Sequence, residues 1–129
     1  MSKYWPTIQV SNCKINLFDV KFLLLLANQV ANFGNGVQFK KEVGYIANTE
    51  ALGSKITEIV ISRTSGKFYA DNYVLTAGTA ENPETVITGT STDTSTTFDL
   101  SSGNYTFIKL ANTSGYAGYL DSIVIKYTE

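Results

Sequence analysis

From residue 35 to the C-terminus, short segments rich in β-branched and aromatic residues alternate with turn signals about every ten residues. Val, Ile, Thr and Tyr favour pleated strands, whereas Gly, Asn, Ser and Pro favour the turns that connect them. No long segment of helical periodicity alternates with these strands, as it would in a parallel sheet with crossover helices. The chain is therefore expected to be mainly β, with an antiparallel β-sandwich as the predicted architecture.

The individual strands can be placed from this pattern. They are predicted at residues 7–10, 36–39, 44–46, 55–62, 73–78, 85–89, 96–100, 104–111 and 119–127. In the last strand, the odd-numbered positions are expected to share one face with Asp121, as in a strand with one buried face. The Thr- and Ser-rich tract at 88–97 is predicted to be a polar hairpin, because Thr has high β-propensity and strand-like segments flank the tract.

The segment 18–34 carries two competing patterns. The uninterrupted apolar run at 22–26 could be a buried strand. Apolar residues also recur at every fourth position, like one face of a helix, at Phe18, Phe22, Leu26 and Val30. Asp19 can cap such a helix and Gly34 can end it. The sequence therefore favours one short N-terminal helix in this segment.

The length of 129 residues suits a single domain, 1–129, with one apolar core. Charged residues make up only 16% of the chain, so Thr, Ser and Asn supply much of its polar surface. Residues 1–33 are expected to dock on a neighbouring subunit or to complete the core of the domain. The apolar residues expected at such an interface are Trp5, Phe18, Leu23 and Leu24.

Composition argues against several functions. The net charge is -1 and the basic residues are scattered, so no nucleic-acid partner is expected. The apolar run at 22–26 is too short to span a bilayer and lacks the features of a signal peptide, so no membrane insertion is expected. Histidine is absent, which removes the usual general base at neutral pH and the commonest metal ligand. The single cysteine, Cys13, is expected to be a small buried residue.

A glycosidase could still act through two carboxylates. The acidic candidates are Asp71, Glu81, Asp93, Asp99 and Asp121. Most of them lie in turn-like surroundings, where a carboxylate usually accepts hydrogen bonds from nearby backbone, so the chain is expected not to be an enzyme. Asp121 differs, because it falls on the predicted inward face of the last strand. It could accept a structural hydrogen bond from a loop or bind a structural Ca²⁺, and no other cofactor is expected.

Tyrosine rings are candidates for ligand contact, because a flat aromatic ring can stack on the apolar face of a sugar. The tyrosines that could form such a platform are Tyr69, Tyr73, Tyr116 and Tyr119, and nearby asparagines could bind sugar hydroxyls. Tyrosine is also simply a favoured strand residue, half-buried with its hydroxyl in water. The predicted ligand-binding residues are Asn72, Tyr73, Asn112 and Tyr116.

Strand cores and turns between residues 34 and 129 occur in a distinctive order. They are GYI at 44–46, KITEIVI at 55–61, LTAGT at 75–79, YTFIKLAN at 105–112 and YLDSIVIKY at 119–127. In this order they resemble the lectin-like, jelly-roll β-sandwich modules of secreted and surface proteins of Bacteroidetes and Firmicutes and of the phages that infect them. The resemblance implies a jelly-roll-like sandwich, and it transfers no ligand site.

Two functions are expected from these observations. The chain begins with its own Met1 and adds an apolar N-terminal segment to the module, so it resembles a subunit that docks on a larger assembly. The sequence therefore predicts a non-enzymatic structural or accessory subunit of a phage virion, such as a capsid decoration or fibre-associated protein, with other subunits as partners. The alternative is a carbohydrate-binding module of a surface or secreted protein, located outside the cell or on its surface, with glycans as partners.

Overall fold

The structure is a computed structural model that describes residues 2–4, 8–11, 14–16, 25–28, 30–32, 37–48, 51, 55–64 and 66–128. Within these ranges, side chains are described from Gln38 to Lys126. Secondary structure in this part of the chain is mainly antiparallel β-sheet, which confirms the predicted mainly β fold. None of its helical residues belongs to a helix that is long and apolar enough to cross a membrane.

The described strands are numbered in chain order. The first six are β1 (Ser2–Tyr4), β2 (Ile8–Ser11), β3 (Lys14–Asn16), β4 (Leu25–Asn28), β5 (Val30–Asn32) and β6 (Val37–Phe39). The next are β7 (Tyr45–Asn48), β8 (Ile56–Ser62), β9 (Tyr73–Gly78), β10 (Thr85–Ile87), β11 (Gly89–Ser91), β12 (Ser95–Asp99), β13 (Phe107–Asn112), β14 (Gly118–Leu120) and β15 (Ser122–Thr128). A 3-10 turn at Ala70–Asn72 precedes β9.

The described strands form three sheets. The largest has the order β11-β12-β8-β15-β2-β3, with β1 also paired to β15. The second has the order β10-β9-β13-β7-β4, and the smallest has the order β14-β6-β5. Every pairing is antiparallel, as the sequence predicts.

Eight strands of the two larger sheets pair in a nested pattern. In chain order these strands are β2, β7, β8, β9, β10, β12, β13 and β15. The first pairs with the last, the second with the seventh, the third with the sixth and the fourth with the fifth. The chain therefore resembles one long folded hairpin, whose successive strand pairs alternate between the two sheets.

Buried side chains from all three sheets meet in one apolar cluster. The centre of the largest sheet contributes isoleucines at alternating positions, which is the spacing of a strand with one buried face. These are Ile59 and Ile61 of β8 and Ile123 and Ile125 of β15. The other two sheets contribute Ile46, Leu75, Ala77, Ile108, Leu110, Phe39 and Leu120. Each large apolar side chain buried in this way stabilises the fold by roughly 1.5–3 kcal/mol, so the cluster is the main source of stability.

The predicted N-terminal helix is wrong for the described residues of its segment. Leu25–Asn28 is strand β4, which pairs with β7, and Val30–Asn32 is strand β5, which pairs with β6. The apolar run at 22–26 itself supplies Phe22 and Leu26, two apolar residues four positions apart. The spacing of these two residues therefore does not distinguish a helix from a strand. The neighbouring strands supply backbone hydrogen bonds along their edges, and this tertiary pairing decides the local structure. The remainder of the predicted helix lies outside the described residues.

The Thr- and Ser-rich tract forms the predicted polar hairpin. Strands β11 and β12 pair from Gly89–Phe98 to Ser91–Thr96. Hydroxyl groups also join the two strands, because the Ser91 and Thr96 hydroxyls lie 2.8 Å apart and those of Thr92 and Ser95 lie 3.0 Å apart. Side-chain hydrogen bonds of this kind replace the apolar contacts that most hairpins use.

The predicted last strand is interrupted at Asp121. The part before it, β14, pairs with β6, whereas the part after it, β15, pairs with β8 in a different sheet. The interruption also reverses the alternation of side chains, so that Leu120 and Ile123 are both buried. One strand in the sequence is therefore two strands in two sheets.

Candidate ligand-binding site

A cavity of about 400 Å³ is lined by Tyr69, Asn72, Tyr116 and Ala117. These four residues define what we call the tyrosine cleft. Tyr69 is 54% exposed and Tyr116 is 78% exposed. Aromatic rings that are this exposed keep apolar surface in water, and a ligand that covers them recovers that free energy. The cleft is therefore the candidate binding site.

One wall of the tyrosine cleft is formed by the 3-10 turn Ala70–Asn72. Tyr69 has an extended backbone and directly precedes the turn, and its side chain lines the cavity together with that of Asn72. The Asn72 backbone N–H donates to the Tyr69 carbonyl at 3.1 Å, which fixes this geometry. Among the described residues, the Asn72 side chain has no hydrogen-bond partner, and its polar atoms are not sealed from solvent. Its amide can therefore bind a ligand in the cleft.

The opposite wall of the tyrosine cleft is the loop that follows β13, and hydrogen bonds from the Asn112 side chain hold this loop in place. The Asn112 side chain is fully buried. Its Nδ2 donates to the carbonyls of Phe39 at 3.0 Å and Tyr116 at 2.8 Å. Its Oδ1 accepts from the Ser114 N–H at 3.0 Å and the Ser114 hydroxyl at 2.9 Å. Both donors and both acceptor positions of the amide are thus used, and they fix the backbone that carries Tyr116.

Backbone hydrogen bonds tie this loop to its neighbours. The Thr113 N–H donates to the Asn72 carbonyl at 3.0 Å, which joins the two walls of the tyrosine cleft. The Glu42 N–H donates to the Ser114 carbonyl, also at 3.0 Å. Glu42 has a φ of 67°, a left-handed conformation that is uncommon for residues other than glycine. The unfavourable backbone conformation of Glu42 therefore occurs where the turn at 41–43 contacts the loop that carries Tyr116.

Tyr73 directly follows the 3-10 turn and is only 7% exposed. Its ring stacks on Phe68, with centroids 6.1 Å apart, and meets the edge of Phe39 at 5.8 Å. Its hydroxyl lies against Gly118, where an added Cβ would come within 2.5 Å of the Tyr73 oxygen, so a glycine is needed there. Burial raises the pKa of the Tyr73 hydroxyl well above its ordinary value, and the nearby Arg63 charge opposes this only in part.

Two cationic side chains, Arg63 and Lys67, lie over tyrosine rings near the tyrosine cleft. The Arg63 guanidinium lies 4.8 Å from the centroid of the Tyr119 ring, and its Nη1 donates to the Lys67 carbonyl at 3.2 Å. The Lys67 ammonium lies 5.4 Å from the centroid of the Tyr69 ring. Cations favour the faces of aromatic rings, so Arg63 and Lys67 together hold the segment that leads into Tyr69.

The structure brings two of the four predicted ligand-binding residues to the cavity. Asn72, which is 9% exposed, and Tyr116 line the tyrosine cleft. Tyr73 and Asn112 are buried and do not line it, and Asn112 binds the backbone of Tyr116. Tyr69 lines the cleft although the sequence indicated it only as one of four platform tyrosines. The signal that could have identified it is its position three residues before Asn72. The predicted interface residues Trp5, Phe18, Leu23 and Leu24 lie outside the described residues.

Asp121 and Asp99 both accept local hydrogen bonds. Asp121 Oδ2 accepts from the Thr64 N–H at 2.5 Å and from the Thr64 hydroxyl at 3.2 Å. Asp99 Oδ1 accepts from the hydroxyl and the N–H of Ser101, and these hydrogen bonds lower the pKa of Asp99. Asp121 is half-buried, and its carboxylate joins the end of β14 to the loop at Thr64. In the described ranges, no three acidic or cysteine side chains are grouped to hold a metal ion.

No protein-family model matches the chain, and no curated protein is similar to it. The function must therefore be argued from the residues of the tyrosine cleft.

Replacing the buried amide tests its role in holding the cleft. Asn112→Ala removes the amide partner of the Phe39 carbonyl and of the Ser114 N–H, whereas the Tyr116 carbonyl keeps its hydrogen bond from the Ser114 hydroxyl. We expect this change to lower the free energy of unfolding by about 2–4 kcal/mol. Urea denaturation followed by circular dichroism measures this loss. Thr113→Ala, an exposed neighbour whose backbone hydrogen bond is unchanged, is the matched control. Equal stability of the two variants would contradict the assigned role of Asn112.

The buried hydroxyl of Tyr73 predicts a pH dependence. Its folded pKa is raised, so its contribution to stability is complete below the unfolded value of about 10 and is lost as the pH rises towards the folded value. We therefore expect the free energy of unfolding to fall above roughly pH 10, and Tyr73→Phe to flatten this part of the profile. Tyr69→Phe, which removes an exposed hydroxyl, should keep the wild-type slope. Parallel profiles for wild type and Tyr73→Phe would show that the hydroxyl is not buried.

Proposed function

We propose that the chain is a non-enzymatic β-sandwich module of the jelly-roll type that binds a glycan in the tyrosine cleft. The observation that carries this proposal is the pair of exposed rings, Tyr69 and Tyr116, that line a cavity together with the Asn72 amide. A sugar ring has apolar C–H faces and a rim of hydroxyl groups. Exposed aromatic rings suit the faces, and an amide with both donors and an acceptor suits the hydroxyls.

The nested pairing of eight strands supports the jelly-roll assignment. In a jelly roll, a long folded hairpin wraps into two antiparallel sheets that enclose a core. The pairings β2–β15, β7–β13, β8–β12 and β9–β10 follow that scheme. The tyrosine cleft then lies at one end of the sandwich, beside the loop between β13 and β14, and loops at sheet ends commonly carry binding sites.

The rigidity of the cleft supports binding as its role. Asn112 fixes one wall, a backbone hydrogen bond from Thr113 to Asn72 joins the two walls, and the Tyr73 ring that follows Asn72 is held against Phe68. A site whose side chains are already held in place loses less conformational entropy when a ligand binds. The exposed rings are therefore presented on a fixed support.

Several observations support a role without catalysis. The sequence contains no histidine, so the usual neutral-pH base is missing. The carboxylates of Asp99 and Asp121 accept hydrogen bonds from Ser101 and Thr64, which is a structural use of an acidic side chain.

The setting in which the module acts is a separate proposal. The sequence predicts an accessory subunit of a phage virion, and a glycan-binding subunit on a capsid or fibre would serve contact with a host surface. A module of a secreted or surface protein would use the same cleft. The two settings differ in their protein partners, and the N-terminal residues Trp5, Phe18, Leu23 and Leu24 are the proposed contacts for partner subunits in the first.

Substitution of the exposed tyrosines tests the proposed binding. The purified chain is screened on an array of neutral and acidic glycans, and the affinity for the strongest binders is measured by calorimetry. Tyr69→Ala and Tyr116→Ala should each weaken binding about tenfold or more, because each removes a stacking surface. Tyr116→Phe should keep most of the affinity, since the ring face remains.

Val43→Ala is the control for the loss of exposed apolar surface, because Val43 is 46% exposed and lines neither the tyrosine cleft nor the cavity beside it. Thermal unfolding of each variant shows whether the fold is retained. No binding to any glycan, or binding that is unchanged in both alanine variants, would contradict the proposed function.

A further inference from the structure

A second cavity lies beside the tyrosine cleft and shares the 3-10 turn with it. Its volume is about 260 Å³, and Ala70 and Asp71 of the turn contribute to its lining. Tyr69 and Asn72, at the two flanks of the same segment, line the tyrosine cleft. The 3-10 turn therefore lies between the two cavities, with the consecutive residues Ala70 and Asp71 lining one and Tyr69 and Asn72 lining the other.

The lining of this second cavity combines hydroxyl groups, a carboxylate and apolar surface. Thr88 and Ser91 supply exposed hydroxyls, and Asp71 supplies an exposed carboxylate. Among the described residues, no ion pair or hydrogen bond engages the Asp71 carboxylate. Val86 is 63% exposed and supplies the apolar surface. This mixture of acceptors, donors and an apolar side chain matches the mixed surface of a sugar ring better than that of a purely apolar ligand.

We propose that the second cavity is a further subsite of the glycan site, so that the ligand is an oligosaccharide crossing the Ala70–Asn72 turn. This inference rests on the proposed function, which places the first sugar unit in the tyrosine cleft. Consecutive units of one chain then occupy the two cavities. The linkage makes the second contact intramolecular, so binding at the second subsite adds affinity without a second loss of translational freedom.

Charge defines the kind of unit that the second subsite accepts. Asp71 places a carboxylate at this cavity, and like charges repel at short range. An acidic sugar is therefore disfavoured in the second subsite, and a neutral unit is favoured. No carboxylate is among the described residues that line the tyrosine cleft, and the Lys67 ammonium lies 5.4 Å from the centroid of its Tyr69 ring.

The dependence of affinity on chain length tests the second subsite. The probes are gluco-, galacto-, manno- and N-acetylglucosamine oligosaccharides, each as a graded series from the monosaccharide upwards. For the series that binds, the wild-type chain should gain about tenfold or more in affinity when the second unit is added. Asp71→Ala and Val86→Ala should remove most of this gain and leave the affinity for the monosaccharide unchanged.

Thr90→Ala is the matched control, because Thr90 is exposed on the same hairpin as Ser91 and lines neither cavity. If the monosaccharide binds as tightly as the longer chains and both variants behave like the control, the second subsite does not exist and the tyrosine cleft remains a single-unit site. If no glycan of any length binds, the proposed function and this inference both fail.

Discussion

Two buried asparagine amides close the ends of the β7–β13 pair, and the tyrosine cleft depends on one of them, Asn112. At one end, Asn48 Oδ1 accepts from the Ile108 N–H at 2.8 Å, and its Nδ2 donates to the Thr106 carbonyl at 2.9 Å. At the other end, Asn112 engages the loop that carries Tyr116. Both amides satisfy backbone groups where the ladder of strand hydrogen bonds stops, and leaving such groups buried without partners is costly. A chain with few charges and one cysteine relies on amides of this kind to join its loops to its core.

The path from core to surface is short at the tyrosine cleft. Phe39 contacts the Tyr73 ring, Tyr73 lies against Gly118, and Asn112 connects the Phe39 carbonyl to the Tyr116 carbonyl. The same buried residues that stabilise the fold therefore set the positions of the exposed rings. A substitution in this group should change stability and binding together, whereas a change at the exposed rings should affect binding alone. Stability and affinity measured on the same variants separate the two roles.

Much of the β-structure after residue 35 can be predicted from the sequence, because alternation and turn residues are local signals. The strand at Tyr73–Gly78 and the Thr-rich hairpin agree closely with expectation. Three features depend on tertiary contacts and were not predictable: strand β4 instead of a helix, the break at Asp121, and the burial of Tyr73. Local propensity cannot tell which of two nearby tyrosines, Tyr69 or Tyr73, faces solvent. That choice depends on the turn between them and on the Phe68 ring that covers one of them.

The most direct test of the account is to map the bound glycan by backbone amide chemical shifts. A monosaccharide selected on the array is titrated into the isotope-labelled chain. The account predicts that the largest shift changes fall on residues 69–72 and 113–117, the two walls of the tyrosine cleft. Changes concentrated at residues 99–106, near the opposite end of β13, would contradict the assignment of the cleft as the binding site.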